Sequence, residues 1–232
     1  MLQRLPYISP RLAILFDSLV TAIAVGASLF FENPSTEMAV SVVLIAFIAS
    51  ALVSYATQYQ STMRLREDTR ETILDMVLEQ LTRKYSEEIA ACELRANIMT
   101  IKRKPSKRIP PWRRSLSFRA MEGDYSDAEL EQEYNSGIGC SGKTIERNSP
   151  TYYDSERRQD PDRTLSSTQR EVTNHVNSIL SVPIYPDNDP SKAPIGVLSL
   201  DSEENINTTS FHEEPAHRLA MKYAGVVGNV LS

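Results

Sequence analysis

The stretch SILSVPIYPDNDPSKAPIGVLSLDS, which runs from Ser178 to Ser202, decides the fold. Residues 179–185 and 195–200 are rich in β-branched side chains with a rough period of two, which predicts two strands. Residues 186–190 between them are Pro, Asp and Asn, which favour turns. The stretch therefore predicts a β-hairpin with a long turn. Pro183 cannot donate a hydrogen bond to a ladder, so we expect it at a bulge or facing away from a neighbouring strand.

Further elements are predicted on both sides of this hairpin. Residues 93–101 and 115–121 alternate well enough for two strands, 127–134 are typical of a short helix, and 212–231 of a C-terminal helix. Residues 58–91 predict an amphipathic helix that continues the apolar run before it. Its apolar stripe consists of Leu74, Val77 or Leu78, Leu81, Tyr85, Ile89 and Cys92. The stripe either docks on the sheet or pairs with its copy in a parallel dimer.

Several of these segments together resemble the GAF domain family over residues 65–232. The resemblance rests on the hairpin, on Gly137 to Gly142 followed by Thr144, on Asn148-Ser149-Pro150 ahead of Asp154, and on Phe211 opening the last helix. It implies an α+β fold, in which an antiparallel sheet of about six strands is flanked by helices. It also implies a sensory module that holds a small ligand, such as a cyclic nucleotide, over one face of the sheet. Residues 211–215 do not reproduce the Phe-x-x-x-Asp-Glu ending of the phosphodiesterase signature, so cyclic-nucleotide specificity does not follow.

The resemblance places the wall of the pocket in the polar region around residues 152–168. Arginine binds phosphate through two parallel hydrogen bonds and tyrosine stacks on a base, so we expect a small, anionic, nucleotide-like ligand. The candidate ligand-binding residues are Tyr152, Tyr153, Asp154, Arg157, Arg158, Thr168 and Cys140. The alternative is a flexible surface loop beside an inert thiol.

Two N-terminal runs are apolar over about the 20 residues that a bilayer core requires. They are Arg11–Phe31 and Met38–Thr57, and a short acidic connection separates them. Arginines lie before the first run and after the second, so the positive-inside rule predicts a two-span hairpin in the cell membrane with both termini cytoplasmic. Asp17 within the first run is a candidate pore or assembly residue, unless it lies at the interface. A cleaved signal peptide is the alternative for the first run.

A basic run without an acid connects the first two predicted strands. It includes Lys102, Arg103, Lys104, Lys107, Arg108 and Trp112. Anionic lipid headgroups attract basic residues and an indole favours the membrane interface, so these are candidate headgroup contacts. A solvated hairpin loop is an equally good interpretation. We do not expect nucleic-acid binding, because only one aromatic residue is interleaved with the cations.

Composition argues against several other classes of function. The net charge of the 232 residues is −5, and the two cysteines allow neither a disulfide framework nor a zinc site. Residues 137–144 match the P-loop pattern GxxxxGK[ST], but no apolar strand precedes them. The three histidines belong to no catalytic set. We therefore predict no enzyme activity, no catalytic or metal-binding residues and no particular cofactor.

The predicted organisation has three parts. Residues 1–60 form the transmembrane hairpin, 61–92 a coupling and dimerisation helix, and 93–232 a cytoplasmic GAF-like sensor domain. The predicted partners are a small-molecule ligand, the lipid bilayer and further copies of the chain in a homodimer or higher homo-oligomer. Signalling would pass through the hairpin, self-assembly or a separate partner. The alternatives are an effector that permeabilises the membrane when it binds its ligand, and a dimeric scaffold that binds none.

Overall fold

The computed structural model describes residues 36–105, 112–156 and 165–232. The chain divides between residues 69 and 70 into two compact units. The predicted first span, with Asp17, lies outside the described residues, as do Lys107, Arg108, Arg157 and Arg158.

Helix α1 spans Thr36–Glu88 as one element of 53 residues. The backbone of the predicted second span is therefore helical and continues without interruption into the amphipathic segment, as predicted. Within the part of the chain that the structure describes, no helix combines the length and the apolar character needed to cross a bilayer.

The larger unit is built on a six-stranded sheet in which every neighbouring pair is antiparallel. The strands are β1 (Arg95–Pro105), β2 (Trp112–Glu122), β3 (Tyr134–Asn135), β4 (Thr151–Asp154), β5 (Ser178–Ile184) and β6 (Gly196–Ser202). Their order is β3-β2-β1-β6-β5-β4, which places β1 and β6 at the centre. The strands predicted at 93–101 and 115–121 are confirmed, and both reach further into the basic run than predicted.

The predicted hairpin of β5 and β6 is confirmed. The two strands pair from Ser178 opposite Ser202 to Ile184 opposite Gly196. Asp187 and Asn188 in the turn both have φ of 54°, the left-handed conformation that Asp and Asn tolerate. β4 pairs with β5 only as far as Ser181, so the missing N–H of Pro183 interrupts no bond on that side.

Five more α-helices lie in the part of this unit that the structure describes. They are α2 (Asp127–Leu130), α3 (Gly139–Arg147), α4 (Ser167–Val172), α5 (Ile206–Thr209) and α6 (Glu214–Leu231). α2 ends earlier than predicted, because Tyr134 pairs with Leu116 as part of β3. α6 begins two residues later than predicted, with a proline in its first turn, where the missing N–H costs nothing.

The helices cover the two faces of the sheet unequally. Residues 70–88 of α1 and all of α6 pack on one face, where the predicted stripe residues Leu74, Leu78, Leu81 and Tyr85 are fully buried. Burying each such side chain stabilises the fold by about 1.5–3 kcal/mol. The stripe therefore docks on the sheet, the first of the two predicted alternatives. α3 covers the other face over a smaller cluster that includes Met99, Leu116 and Ile145.

Candidate ligand-binding site

A cavity of about 70 Å³ lies on the α3 face of the sheet, and we call it the central cavity. Its floor is formed by the two central strands, and α2, α3 and α4 lie around it. Its polar lining comprises Arg95, Asn97, Tyr125, Glu129, Tyr134, Ser141, Thr173, Ser199 and Asp201. Its apolar lining includes Met99, Phe118, Leu165, Val176 and Ile179. The cavity therefore combines a charged end with hydrophobic walls, as small-molecule sites do.

Arg95 organises the charged end. It lies directly opposite Asp201 in the β1–β6 register, and its Nε donates to Asp201 Oδ1 at 2.6 Å. Its Nη2 donates to Glu129 Oε1 at 3.1 Å, and its guanidinium stacks 4.3 Å from the ring centre of Tyr125. Both carboxylates are almost completely buried. One guanidinium is thus shared by two buried acids, and the net charge of the three groups is negative when all are ionised.

The short helix α2 presents Glu129 to this cluster. Ser126 and Glu129 form a capping box, in which each side chain bonds to the backbone N–H of the other residue. The Nε2 of His175 also lies 3.5 Å from Glu129 Oε1. The position of Glu129 is therefore fixed by the start of its own helix and by the side chains of Arg95 and His175.

Asn97 leaves one hydrogen-bonding atom unpaired. Its Nδ2 donates to the Tyr125 hydroxyl at 3.0 Å and to Asp201 Oδ2 at 3.3 Å. The opposite amide orientation would place its oxygen 3.3 Å from Asp201 Oδ2, which favours this orientation when Asp201 is ionised. Its Oδ1 is buried and has no hydrogen-bond partner among the residues that the structure describes, and the whole residue is 2% exposed. An unpaired buried acceptor costs about 1–3 kcal/mol.

Three serines pair their hydroxyls beside the carboxylates. Ser181 and Ser199 lie opposite each other on β5 and β6 with their oxygens 2.8 Å apart. Ser141 of α3 approaches them at 3.3 Å and 3.1 Å. These contacts hold α3 against the sheet through short polar side chains and close that side of the central cavity.

Burial and pairing shift the pKa values in opposite directions. Burial raises the pKa of Asp201 above its ordinary value and outweighs the donors around it. For Glu129, burial is outweighed by the hydrogen bonds from Ser126 and by Arg95, which hold its pKa below the ordinary value. Burial raises the pKa of Tyr125 well above its ordinary value and that of Tyr134 to about 12. The two phenols therefore stay neutral at physiological pH.

Of the five predicted ligand-binding residues that the structure describes, one lines the central cavity. Cys140 lines it, and its Sγ donates to the Thr151 carbonyl at 3.3 Å. Burial raises its pKa to about 12, which leaves roughly one thiolate in 10⁵ at pH 7. Thr168 lies exposed on α4.

The predicted ligand-binding residues Tyr152, Tyr153 and Asp154 lie on β4, where successive side chains point to opposite faces of the sheet. Tyr152 lies opposite Leu180 and packs with the core on the other face of the sheet, next to His217. Tyr153 faces the same side as the cavity and is buried without lining it. Asp154 is buried, and its Oδ1 accepts the N–H of Glu156 at 3.0 Å.

The P-loop-like run folds as the entry to α3. Thr144 is fully buried and donates to the Cys140 and Ser181 carbonyls, and Lys143 is only 8% exposed. A Cβ at Gly142 would overlap the backbone oxygen of Asn135. The glycine therefore permits close packing of α3 on β3, and the run does not form a phosphate cradle.

The main polar groups of the site were missed by the sequence analysis. Arg95 and Asn97 alternate with the apolar residues Ala96 and Ile98 in β1, and Asp201 interrupts an otherwise apolar and Ser-containing strand. Charged residues at alternate positions of a buried strand are a usable signal, because burial of an unpaired charge is costly. Within residues 36–105, 112–156 and 165–232, there is no group of three or more His, Cys, Asp or Glu side chains that could hold a metal ion.

No family model matches the chain, and no curated protein sequence matches it. Among solved structures it is similar to a type II free methionine-R-sulfoxide reductase from Thermoplasma acidophilum, with a TM-score of 0.51 and 14% identity over 72% of this chain and 94% of the other. It is also similar to the GAF domain region of a Geobacter sulfurreducens protein, with a TM-score of 0.49 and 18% identity over 73% of this chain and 97% of the other. The GAF domain of an Acinetobacter phosphoenolpyruvate-protein phosphotransferase has a TM-score of 0.48 and 14% identity to it, over 75% of this chain and 92% of the other. At 14% identity the likeness to the reductase shows the fold alone. The predicted fold class, an antiparallel α+β sheet flanked by helices, is confirmed by the strand order and the helices on both faces.

Proposed function

We propose that the chain is a sensory protein whose GAF-like domain binds a small molecule in the central cavity. The observation that carries the proposal is the buried Oδ1 of Asn97, which has no hydrogen-bond partner among the described residues and belongs to a residue that lines the central cavity. A ligand that donates a hydrogen bond to this atom recovers the free energy that its burial costs. The surrounding carboxylates are already saturated by Arg95, Tyr125 and Ser126, so Asn97 is the point of attachment.

The charge of the lining selects the kind of ligand. Two carboxylates face one guanidinium, so the field favours a cation over an anion. The apolar walls favour a short hydrocarbon body attached to the donor. We therefore propose a small amine or another donor-bearing cation as the ligand.

An anionic nucleotide is less well supported by the residues that line the central cavity. That prediction rested on Arg157 and Arg158, which lie outside the described residues, and on Tyr152 and Tyr153, which do not line the cavity. The cavity of about 70 Å³ is also smaller than the roughly 300–1,000 Å³ of sites for larger ligands. A sensory role is favoured over thiol chemistry because the cysteine that lines the cavity, Cys140, is held as a neutral thiol.

The test uses matched small probes and the compact unit of residues 70–232. Butylammonium, butan-1-ol and propionate have the same number of non-hydrogen atoms and differ in charge. We expect butylammonium to bind with a Kd of about 1 mM, which is ordinary for a ligand of this size, and propionate to bind more weakly. Isothermal titration calorimetry measures the Kd of each probe.

The matched variants are Asn97→Ala in the cavity and Asn207→Ala on the exposed start of α5. Loss of a hydrogen bond to a charged donor, about 1.5–3 kcal/mol, weakens butylammonium binding by about tenfold or more in Asn97→Ala. Asn207→Ala makes the same replacement at an exposed position, so it should leave butylammonium binding unchanged. Equal binding of the ammonium and the carboxylate, or equal affinity in both variants, would contradict the proposed ligand class.

We further propose that the two N-terminal apolar runs anchor the chain in the membrane, with the GAF-like domain in the cytoplasm. The support comes from the sequence: Arg11–Phe31, which lies outside the described residues, has the apolar length that a bilayer requires, and arginines lie before it and after Met38–Thr57. The full chain should stay with the membrane fraction at alkaline pH, and a chain without residues 1–60 should be released. Release of both would contradict the anchor.

The output of ligand binding separates the remaining alternatives. Signalling through the hairpin, self-assembly or a partner leaves vesicles intact, whereas a permeabilising effector releases an encapsulated dye when the ligand is added. In the second case Asp17→Asn should alter the release, because an ionisable group in a span is costly unless it has a role. A chain that binds none of the probes and forms dimers would favour the scaffold.

A further inference from the structure

The first two strands extend beyond the sheet as a two-stranded ribbon. β1 pairs with β6 only as far as Thr100, and β2 pairs with β3 only through Ser115 and Leu116. From Arg103 opposite Arg114 onward, β1 and β2 pair with each other and with no other described strand. We call residues 102–105 and 112–114 the basic arm.

The register of the basic arm places like charges opposite each other. Arg103 lies opposite Arg114, and Lys104 lies opposite Arg113. With Lys102 the arm carries five cations, and none of its seven residues is acidic. Like charges directly across an antiparallel pair destabilise it. An anionic partner would therefore stabilise the arm as well as bind to it.

The sole tryptophan of the chain, Trp112, begins β2 within the arm. An indole favours the interface between headgroups and acyl chains, and each basic residue at an anionic lipid surface strengthens binding by about fivefold. The two N-terminal apolar runs of the same chain would hold the arm near a bilayer. These features together favour a lipid surface.

A nucleic acid fits the same observations less well. Proteins that bind single strands offer several aromatic side chains on which bases stack, and the arm contains one aromatic residue. A nucleic acid that contacted more than the arm would meet a chain whose net charge is −5.

We propose that the basic arm binds the anionic headgroups of a lipid bilayer, an inference that rests on the proposed membrane anchor. Binding uses Lys102, Arg103, Lys104, Arg113 and Arg114 for charge and Trp112 for insertion at the interface. This site is separate from the central cavity, so its test does not depend on the cavity ligand.

The experiment follows the fluorescence of Trp112 in the full chain reconstituted into vesicles. A brominated lipid, which quenches indole fluorescence on contact, is included in vesicles of phosphatidylcholine alone or of phosphatidylcholine with phosphatidylglycerol. We expect strong quenching only with phosphatidylglycerol. The quenching should disappear near 1 M salt, where the Debye length is about 3 Å.

Two double variants with the same loss of charge complete the design. Arg103→Gln with Arg114→Gln should lower the equilibrium constant for docking by about 30-fold. Arg218→Gln with Lys222→Gln, both exposed on α6, should leave it unchanged. Circular dichroism establishes that both variants are folded.

Three results would overturn the proposal. They are equal quenching in neutral and anionic vesicles, equal loss of docking in both double variants, and a change in Trp112 emission on addition of an RNA or DNA oligonucleotide that exceeds the change caused by anionic lipid. The last result would assign the arm to nucleic acid.

Discussion

Replacement of Arg95 by methionine tests the account of the charged cluster most sharply. The variant keeps the volume of the side chain and leaves Glu129 and Asp201 buried without their cation. The side chains of these acids are 5% and 8% exposed, so solvent screens neither of them well. Removing one partner of a buried ion pair costs about 3–5 kcal/mol. For a unit of this size that cost corresponds to a fall in Tm of roughly 6–20 °C.

The pH dependence of this loss has a defined sign. In the unaltered protein the lowered pKa of Glu129 contributes stability above its unfolded pKa, and this stability disappears as the pH falls through the folded value. The raised pKa of Asp201 acts oppositely, because the folded state binds the proton more tightly and loses stability as the pH rises from the unfolded to the folded value. Without Arg95 both folded pKa values rise. The penalty of the variant should therefore be full at neutral pH and shrink toward pH 4.

The assay is urea unfolding of residues 70–232 at neutral and acidic pH, followed by circular dichroism. The matched control is Arg119→Met on β2, because Arg119 pairs with Glu71 nearer the surface, where a salt bridge contributes about 0–1 kcal/mol. A loss in Arg95→Met no larger than in Arg119→Met, or a loss that grows on acidification, would refute the reasoning.

Three further changes have defined outcomes. Gly142→Ala should destabilise the unit by about 2 kcal/mol or more in urea unfolding, since its Cβ would overlap the backbone of Asn135; an unchanged midpoint would mean that α3 packs differently. Tyr85→Phe should cost about 1 kcal/mol, because its hydroxyl donates to a buried carbonyl at 2.7 Å, whereas Tyr223→Phe, whose bond is 3.5 Å long, should cost little. Cys140 should react with a thiol reagent at pH 7 only after unfolding, and rapid reaction in the folded protein would contradict its raised pKa.

Local patterns predicted most of the framework. The sequence predicted the hairpin of residues 178–202 and the stripe from Leu74 to Tyr85. Both depend on strand or helix periodicity and on residues that favour turns, and these signals are contained in short stretches of sequence. The short helix after Ser126 was predicted too long, since its end depends on pairing between β2 and β3, which local propensity does not specify.

The site itself was beyond local patterns. Arg95 and Asp201 are 106 residues apart, and only the register of β1 with β6 brings them together. Tyr152 and Tyr153 are adjacent in sequence, but the alternation of β4 sends them to opposite faces of the sheet. A resemblance to a family indicated the region of the pocket, whereas strand register decided which side chains line it.

The ¹³C chemical shift of the side-chain amide carbon (Cγ) of Asn97 gives the most direct test of the claim that the central cavity binds a hydrogen-bond donor. Asparagine labelled with ¹³C at Cγ is introduced into residues 70–232, and Asn97→Ala identifies its resonance. On addition of butylammonium we expect the Asn97 resonance to shift downfield with saturation while that of Asn207 stays fixed, and we expect propionate to move neither. An unmoved Asn97 resonance at saturating ammonium, or an equal shift with propionate, would contradict the central claim.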